Sequence, residues 1–392
     1  MPALRPLLRS PNHQVRRLAS SSTSTSTSLS DRQSPIRRTS SWSSQPPRHL
    51  LSISDLTDKE FAHLVDNATI IKGHYKSRSW PLRSALSGQT IALMFSKLST
   101  RTRVSSEGAI VAMGGHPMFL GKNDIQLGVN ESLYDTSVVI SSMVSGIVAR
   151  VGPHADIAAL AKDSSVPVIS GLCDTYHPLQ AIADFATMAQ TLPQSQMAKG
   201  LRGKKIAWVG DANNVLHDLC IGARKLGVDV AVATPEGYGL SQKIKDEINA
   251  AGDGELFETT VPEEAVKGAD FIITDTWISM GQEEEKAKRL AAFAGYTVTE
   301  DLARRGGAST NWQFLHCLPR HQEEVDDEVF YGGRSLVFPE AQNRLFAAIS
   351  AMEAFFVRPG TIRRHVVGPV FRRVSHGATA TKVEGAVPER SG

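Results

Sequence analysis

Cysteine is scarce in this chain: three in 392 residues, Cys173, Cys220 and Cys317, widely separated, with no C-x-x-C pair and no Cys/His ligand spacing. A disulfide scaffold and a structural zinc site are therefore not expected. Long apolar runs are missing too. No stretch approaches the roughly 18 residues that a membrane helix needs, so a soluble protein with no membrane partner is expected. Lysine is absent from the first 48 positions, which hold eight arginines, one acidic residue (Asp31) and a Ser/Thr run at 20–28. Import leaders are Arg-rich, Ser-rich and poor in acid, and no apolar h-region or A-x-A site points to secretion. Residues 1–45 are thus expected to be a mitochondrial presequence, directing the chain to the matrix and standing outside the fold; a plain basic tail is the alternative. Of 43 basic and 40 acidic residues, eight and one respectively lie in that leader. The remainder is slightly acidic with its charges interspersed, which gives no footprint for nucleic acid.

What is present is alternation. Apolar runs at 90–95, 116–120, 146–151 and 166–169 read as buried strands, with helical patterns from Ser54 to Ile71 and at 132–143. After Gly203 the pattern restarts, with strands at 205–209, 229–233, 271–274 and 314–317 and helices at 216–226 and 239–250. Continuous rather than alternating apolar strands argue for parallel sheets covered on both faces. The expected fold is α/β: two doubly wound parallel-sheet domains joined by two long helices, at 179–192 and 340–357. The division read from the chain is 46–185 with a returning helix at 340–358, then 186–339, then a loosely ordered tail at 359–392.

In such sheets ligands collect beyond the carboxyl ends of the strands. Those positions are unusually polar here: Ser99-Thr100-Arg101-Thr102-Arg103, Arg150, His177-Pro178-Leu179-Gln180, Gly210-Asp211-Ala212-Asn213-Asn214, Asp275-Thr276-Trp277-Ile278-Ser279-Met280-Gly281 and His316-Cys317-Leu318-Pro319-Arg320. Six polar tips point to one shared cleft. Hydroxyls and guanidiniums at the start of a helix suit a phosphate, through unpaired N–H groups, the helix dipole and planar Arg forks; a Ser/Thr cap with solvated arginines is the plainer reading. The segment at 210–214 lacks the G-x-G-x-x-G of a dinucleotide site, and its asparagines suit a small polar ligand such as an amino-acid carboxylate. Asp275 could hold an ammonium or merely cap a turn.

These elements, in this order and spacing, resemble the aspartate/ornithine carbamoyltransferase family over residues 48–358. The S-T-R-T-R and H-P-x-Q elements are shared across that family; D-x-W-x-S-M-G and H-C-L-P-R belong to its ornithine branch. The resemblance implies transfer of a carbamoyl group from carbamoyl phosphate to the δ-amine of L-ornithine, a step of arginine biosynthesis, without cofactor or metal. By the same resemblance Ser99, Thr100, Arg101 and Thr102 hold the phosphate, Arg150 and His177 polarise the carbonyl, Gln180 takes the carbamoyl NH₂, and Arg344 completes that half-site. Asn214, Asp275, Ser279 and Met280 clamp ornithine, and Gly281 serves as a pivot for closure. Cys317 and Leu318 lie beside the reacting groups, Cys317 either as proton acceptor, if Arg320 or Arg344 lowers its pKa, or only orienting the substrate side chain. Gln126, where relatives often carry His, sits in a loop that reaches a neighbouring subunit, and a homotrimer with shared sites is implied. A carbamoyltransferase using aspartate, putrescine or an acylated ornithine, a nucleotide-binding oxidoreductase and a non-catalytic relative are the competing readings. Asp275 has the wrong sign for aspartate's second carboxylate.

Overall fold

The computed structural model describes residues 46–76, 80–123, 131–278 and 285–365. The presequence expected at 1–45, Gln126, Ser279, Met280, Gly281 and most of the expected tail lie outside the described residues.

Two sheets form, both wholly parallel. The first contains β1 (Thr90–Phe95), β2 (His116–Gly121), β3 (Gly146–Arg150) and β4 (Val168–Leu172) in the order β2-β1-β3-β4. The second contains β5 (Lys205–Val209), β6 (Asp229–Ala233), β7 (Leu256–Thr259), β8 (Phe271–Thr274) and β9 (Gln313–His316) in the order β7-β6-β5-β8-β9. Central strands such as β1 and β3 are buried almost end to end, as expected when helices cover both faces. The strand at 256–259 escaped the sequence reading because it is a four-residue edge strand, Leu-Phe-Glu-Thr, with Phe257 49% exposed. The strand expected at 166–169 instead begins at Val168. Pro167 has no N–H for the ladder, and only its carbonyl pairs, accepting from the Ile147 N–H.

The connecting helices are α1 (Asp58–Lys76), α2 (Thr100–Ala112), α3 (Leu133–Ser141), α4 (His154–Asp163), α5 (Pro178–Gln190), α6 (Asn214–Leu226), α7 (Gln242–Ala250), α8 (Pro262–Val266), α9 (Lys286–Ala292), α10 (Glu300–Gly306), α11 (Asp327–Tyr331) and α12 (Val337–Met352). The helical pattern read from Ser54 resolves into a 3₁₀ turn at Ile53–Asp55 and α1 from Asp58. Ser52 and Asp55 form a capping box on a short 3₁₀ turn, and Thr57 with Glu60 closes the start of α1. The boundary expected at 185 falls inside α5, which runs unbroken and is buried on nearly every side. α12 returns to pack on α5, α1 and α2 and ends in one π turn, Glu353–Val357.

The tail expected from 359 is not loose at its start. Asn67 Nδ2 donates to the Arg363 carbonyl (2.8 Å) and its Oδ1 accepts from the His365 N–H (2.8 Å), while Arg364 pairs with Asp66 at 2.8 Å. Backbone groups with partners are what order residues 359–365.

α6 belongs to the second sheet yet presses against α1 and α5. Gly222 makes that possible: a Cβ there would meet the Phe61 ring at 2.8 Å and the Phe185 ring at 2.9 Å. Both rings are fully buried and packed edge to face at 5.3 Å. Gly222→Ala should therefore cost about 1–3 kcal/mol by overpacking, seen as a lower melting temperature; an unchanged melt would mean that the rings can retreat.

Candidate functional site

In each sheet the strand order reverses once, between β1 and β3 in the first and between β5 and β8 in the second. A crevice opens at such a switch point because neighbouring connections leave on opposite faces. Both crevices open into one cleft of about 1290 Å³, and all six polar tips line it. The N-termini of α2, α5 and α6 reach it as well, so three helix dipoles add positive potential there.

At the first half of the cleft Ser99 is both a lining residue and the N-cap of α2, its Oγ accepting from the Thr102 N–H at 3.2 Å. Thr100 opens the helix beside it. Arg101 donates to the Leu318 carbonyl, which ties the anion loop to the H-C-L-P-R segment. Arg103 does not join them: it pairs with Glu107 at 2.9 Å and lies over the Phe119 ring at 3.5 Å. Being two residues on from Arg101, it is carried to another face of α2.

Arg150, at the tip of β3, keeps a buried Nε without a hydrogen-bond partner. Burial, with Arg101 nearby, holds its pKa down at about 10. Arg344 on α12 is buried, donating to Thr102 Oγ1 (3.2 Å), to His177 Nε2 (3.0 Å) and to Gln180 Oε1. Its pKa is also lowered to about 10, by burial first. Arg101 and Arg344, bonded to neutral groups, and Arg150, with its unpartnered Nε, make a strongly anion-seeking corner. His177 is neutral, its pKa driven far below the ordinary value by burial and then by Arg344, Arg150 and Arg101. Since Nε2 accepts from Arg344, the proton sits on Nδ1, a buried donor with no partner.

Gln180 is oriented from behind. Its Nε2 donates to Asp184 Oδ1 (2.7 Å) and to Glu340 Oε1 (2.8 Å), leaving Oε1 as the acceptor facing the arginines. Asp184 and Glu340 are buried together and their pKa values are raised, because burial disfavours two adjacent charges. Glu340 Oε2 also receives the His316 N–H at 2.9 Å.

At the second half Asp275 is the hub. Its Oδ2 takes the Asn213 amide (2.7 Å) and its Oδ1 the Cys317 thiol (2.9 Å). Asn213 caps α6, and Asn214, the first residue of that helix, donates to the Cys173 carbonyl at 2.6 Å. The lowered pKa that proton acceptance by Cys317 would need is not found. Burial, and then the Asp275 carboxylate, push its thiol well above the ordinary range. Arg320, expected to lower it, faces away to Asp327 (2.5 Å) and the Val325 carbonyl (2.7 Å), over the Phe330 ring. Cys317 is a protonated donor here.

Two residues at this end were missed. Arg289 pairs with Asp211 at 3.2 Å, donates to the Trp277 carbonyl at 2.9 Å and lies 5.1 Å from the Tyr238 ring centre. In sequence it closes the charged run Glu283-Glu284-Glu285-Lys286-Ala287-Lys288-Arg289, which reads as a solvated helix face. Asp211 lay in the polar tip after β5 but carried no signal of its own; burial raises its pKa to about 6. Among the described residues no cluster of His, Cys, Asp and Glu could hold a metal ion, and no helix is long and apolar enough to cross a membrane.

The fold and cleft define a class: two doubly wound sheets that bring an arginine-rich corner and the polar cluster of Asp275, Asn213 and Asn214 face to face. Comparison with known proteins narrows it. Residues 48–190 match the carbamoyl-P binding domain of aspartate/ornithine carbamoyltransferases, and residues 202–355 match their Asp/Orn binding domain. The chain belongs to the aspartate/ornithine carbamoyltransferase family. It is 66% identical over 327 residues to the mitochondrial ornithine carbamoyltransferase of Aspergillus niger, covering 81% of this chain and 88% of that one. The crystal structure of the mitochondrial ornithine carbamoyltransferase from Coccidioides immitis superposes with a TM-score of 0.76 at 65% identity, covering 81% of this chain and 100% of that one. The ornithine carbamoyltransferase from Pyrococcus furiosus gives a TM-score of 0.72 at 42% identity, covering 79% and 96%.

Proposed function

We propose that this protein transfers the carbamoyl group of carbamoyl phosphate to the δ-amine of L-ornithine, giving L-citrulline and phosphate. The observation that carries the reading is the meeting, in one cleft, of the Arg101, Arg150 and Arg344 corner with the Asp275, Asn213 and Asn214 cluster. The first suits a phosphate dianion. The second suits an amino acid's ammonium and carboxylate. The neutral amine attacks the carbonyl carbon, a C–N bond forms, and the C–O bond to phosphate breaks as the tetrahedral intermediate collapses; the amine proton passes to solvent or phosphate.

In this reading Ser99, Thr100, Arg101 and Thr102 hold the phosphate, and Arg150 and His177 donate to the carbonyl oxygen as it becomes anionic. Gln180 Oε1 accepts from the carbamoyl NH₂, an orientation that Asp184 and Glu340 support by holding its amide nitrogen. Asn214, Asp275, Ser279 and Met280 grip ornithine. Cys317, protonated and bonded to Asp275, orients the amine with Leu318 rather than taking its proton. We place the carbamoyl phosphate part at 46–185 with 340–358 and the ornithine part at 186–339.

A homotrimer, with Gln126 reaching a neighbouring site, completes the proposal. What supports self-association is a set of exposed apolar side chains around the edge strand β2 and the helices that enter and leave it: Val104 and Val111 on α2, Met118 on β2, and Tyr134, Val139 and Met143 in and after α3. The arginine-rich leader and the mitochondrial names of the relatives support a matrix location. A colorimetric citrulline assay on the purified protein, with ornithine, putrescine or no amine, tests the reaction. Turnover with ornithine alone is expected; turnover with putrescine but not ornithine would displace the reading.

A further inference from the structure

The loop that delivers His177 is gripped from one face of α6. Asn214 Nδ2 donates to the Cys173 carbonyl (2.6 Å), His217 Nδ1 meets the Thr175 carbonyl (2.9 Å), and Asp218 Oδ2 receives the His177 N–H (2.8 Å). Positions i, i+3 and i+4 of a helix share a face, so one helix reads the loop at 173, 175 and 177. The third contact is chemically the most demanding. Asp218 is fully buried, and its other oxygen, Oδ1, accepts from Ser52 Oγ (2.9 Å) and the Ile53 N–H (2.8 Å). Ser52 Oγ already accepts from the Ser54 N–H, so its hydrogen is free for Asp218. Three donors thus converge on one buried carboxylate. An apolar side chain there would orphan all three.

We propose that Asp218 is a positioning residue for the carbamoyl-transfer step: by holding the His177 N–H it fixes where α5 begins and keeps the imidazole in register with the Asn213–Asn214 end of the same helix α6. The proposal rests on the reading that His177 polarises the carbamoyl carbonyl. A misplacement of about 1 Å at a reacting group can cost on the order of a hundredfold in rate, and a rigid helix spanning both half-sites is what prevents it.

The test is a double-mutant cycle on the purified protein, with kcat and both KM values measured for Asp218→Asn, His177→Ala and the pair. The amide introduced by Asp218→Asn must set an NH₂ against at least one of the three donors, so kcat is expected to fall about tenfold or more, with the KM for carbamoyl phosphate little changed. In the His177→Ala background the same substitution should cost almost nothing further, because the group it positions is gone. An equal loss in both backgrounds, or full turnover in Asp218→Asn, overturns the proposal. If Asp218→Asn does not fold, Ser52→Ala removes one donor only and should lower kcat about fivefold in the same background-dependent way; no effect on kcat overturns the proposal. Failure of the site reading is separately visible, since His177→Ala alone would then turn over normally.

Discussion

His177→Ala should lower kcat by about a hundred- to a thousandfold, the usual effect of deleting one donor to a developing oxyanion, while the KM for carbamoyl phosphate changes far less. The split follows from geometry. In the proposed reading the phosphate is held by Ser99 to Thr102, which make no contact with the imidazole, and by Arg344, which loses one partner with His177 but keeps Thr102 and Gln180. His177 is neutral, and the Arg344 donor assigns its proton to Nδ1, so it acts as a fixed dipole. Its pKa lies far below the ordinary histidine value, and no limb near that value in the kcat–pH profile should belong to it. Steady-state kinetics in both substrates decide the matter: a raised KM with intact kcat would move His177 from carbonyl polarisation to ground-state binding.

The cleft was legible in the sequence because strand tips are a topological fact. Once 90–95, 146–151, 205–209 and 271–274 are read as parallel strands, the residues after each must share one end of a sheet, and Arg150, Asn214 and Asp275 follow without knowledge of packing. Side-chain direction was not legible. Arg101 and Arg103 are alike in sequence, yet helix rotation sends one to the Leu318 carbonyl and the other over Phe119. Arg320 was misjudged, and Arg289 passed over, for a related reason. The first stands three residues from Cys317 but is drawn to Asp327 and Phe330; the second sits in a charge run but is pulled inward by Asp211. Charge partners outside the local motif decided each case. Gln180 shows the same limit, since the carboxyls that orient it come from α5 itself and from α12, 160 residues away.

Asp275→Asn should lower kcat/KM for ornithine by about ten- to a hundredfold or more, the cost of removing the charge from a buried charge-assisted contact, with little effect on the KM for carbamoyl phosphate. The same substitution has a second, independent readout. Asp275 raises the Cys317 pKa twice over, through its charge and by accepting the thiol hydrogen, on top of burial. Asparagine removes the charge, the larger of the two contributions, and leaves burial with the Glu340 and Asp184 carboxyls, so the pKa falls and more thiolate is present at any pH below it. Alkylation by iodoacetamide, followed by peptide mapping, should therefore be faster at Cys317 in the variant than in the parent protein. Cys173 and Cys220 are buried, and burial raises both their thiols, so they serve as internal references. If ornithine kinetics collapse while Cys317 reactivity stays unchanged, Asp275 still grips the amino acid, but it does not govern the thiol that faces the reacting amine, and the orienting role assigned to Cys317 must be dropped.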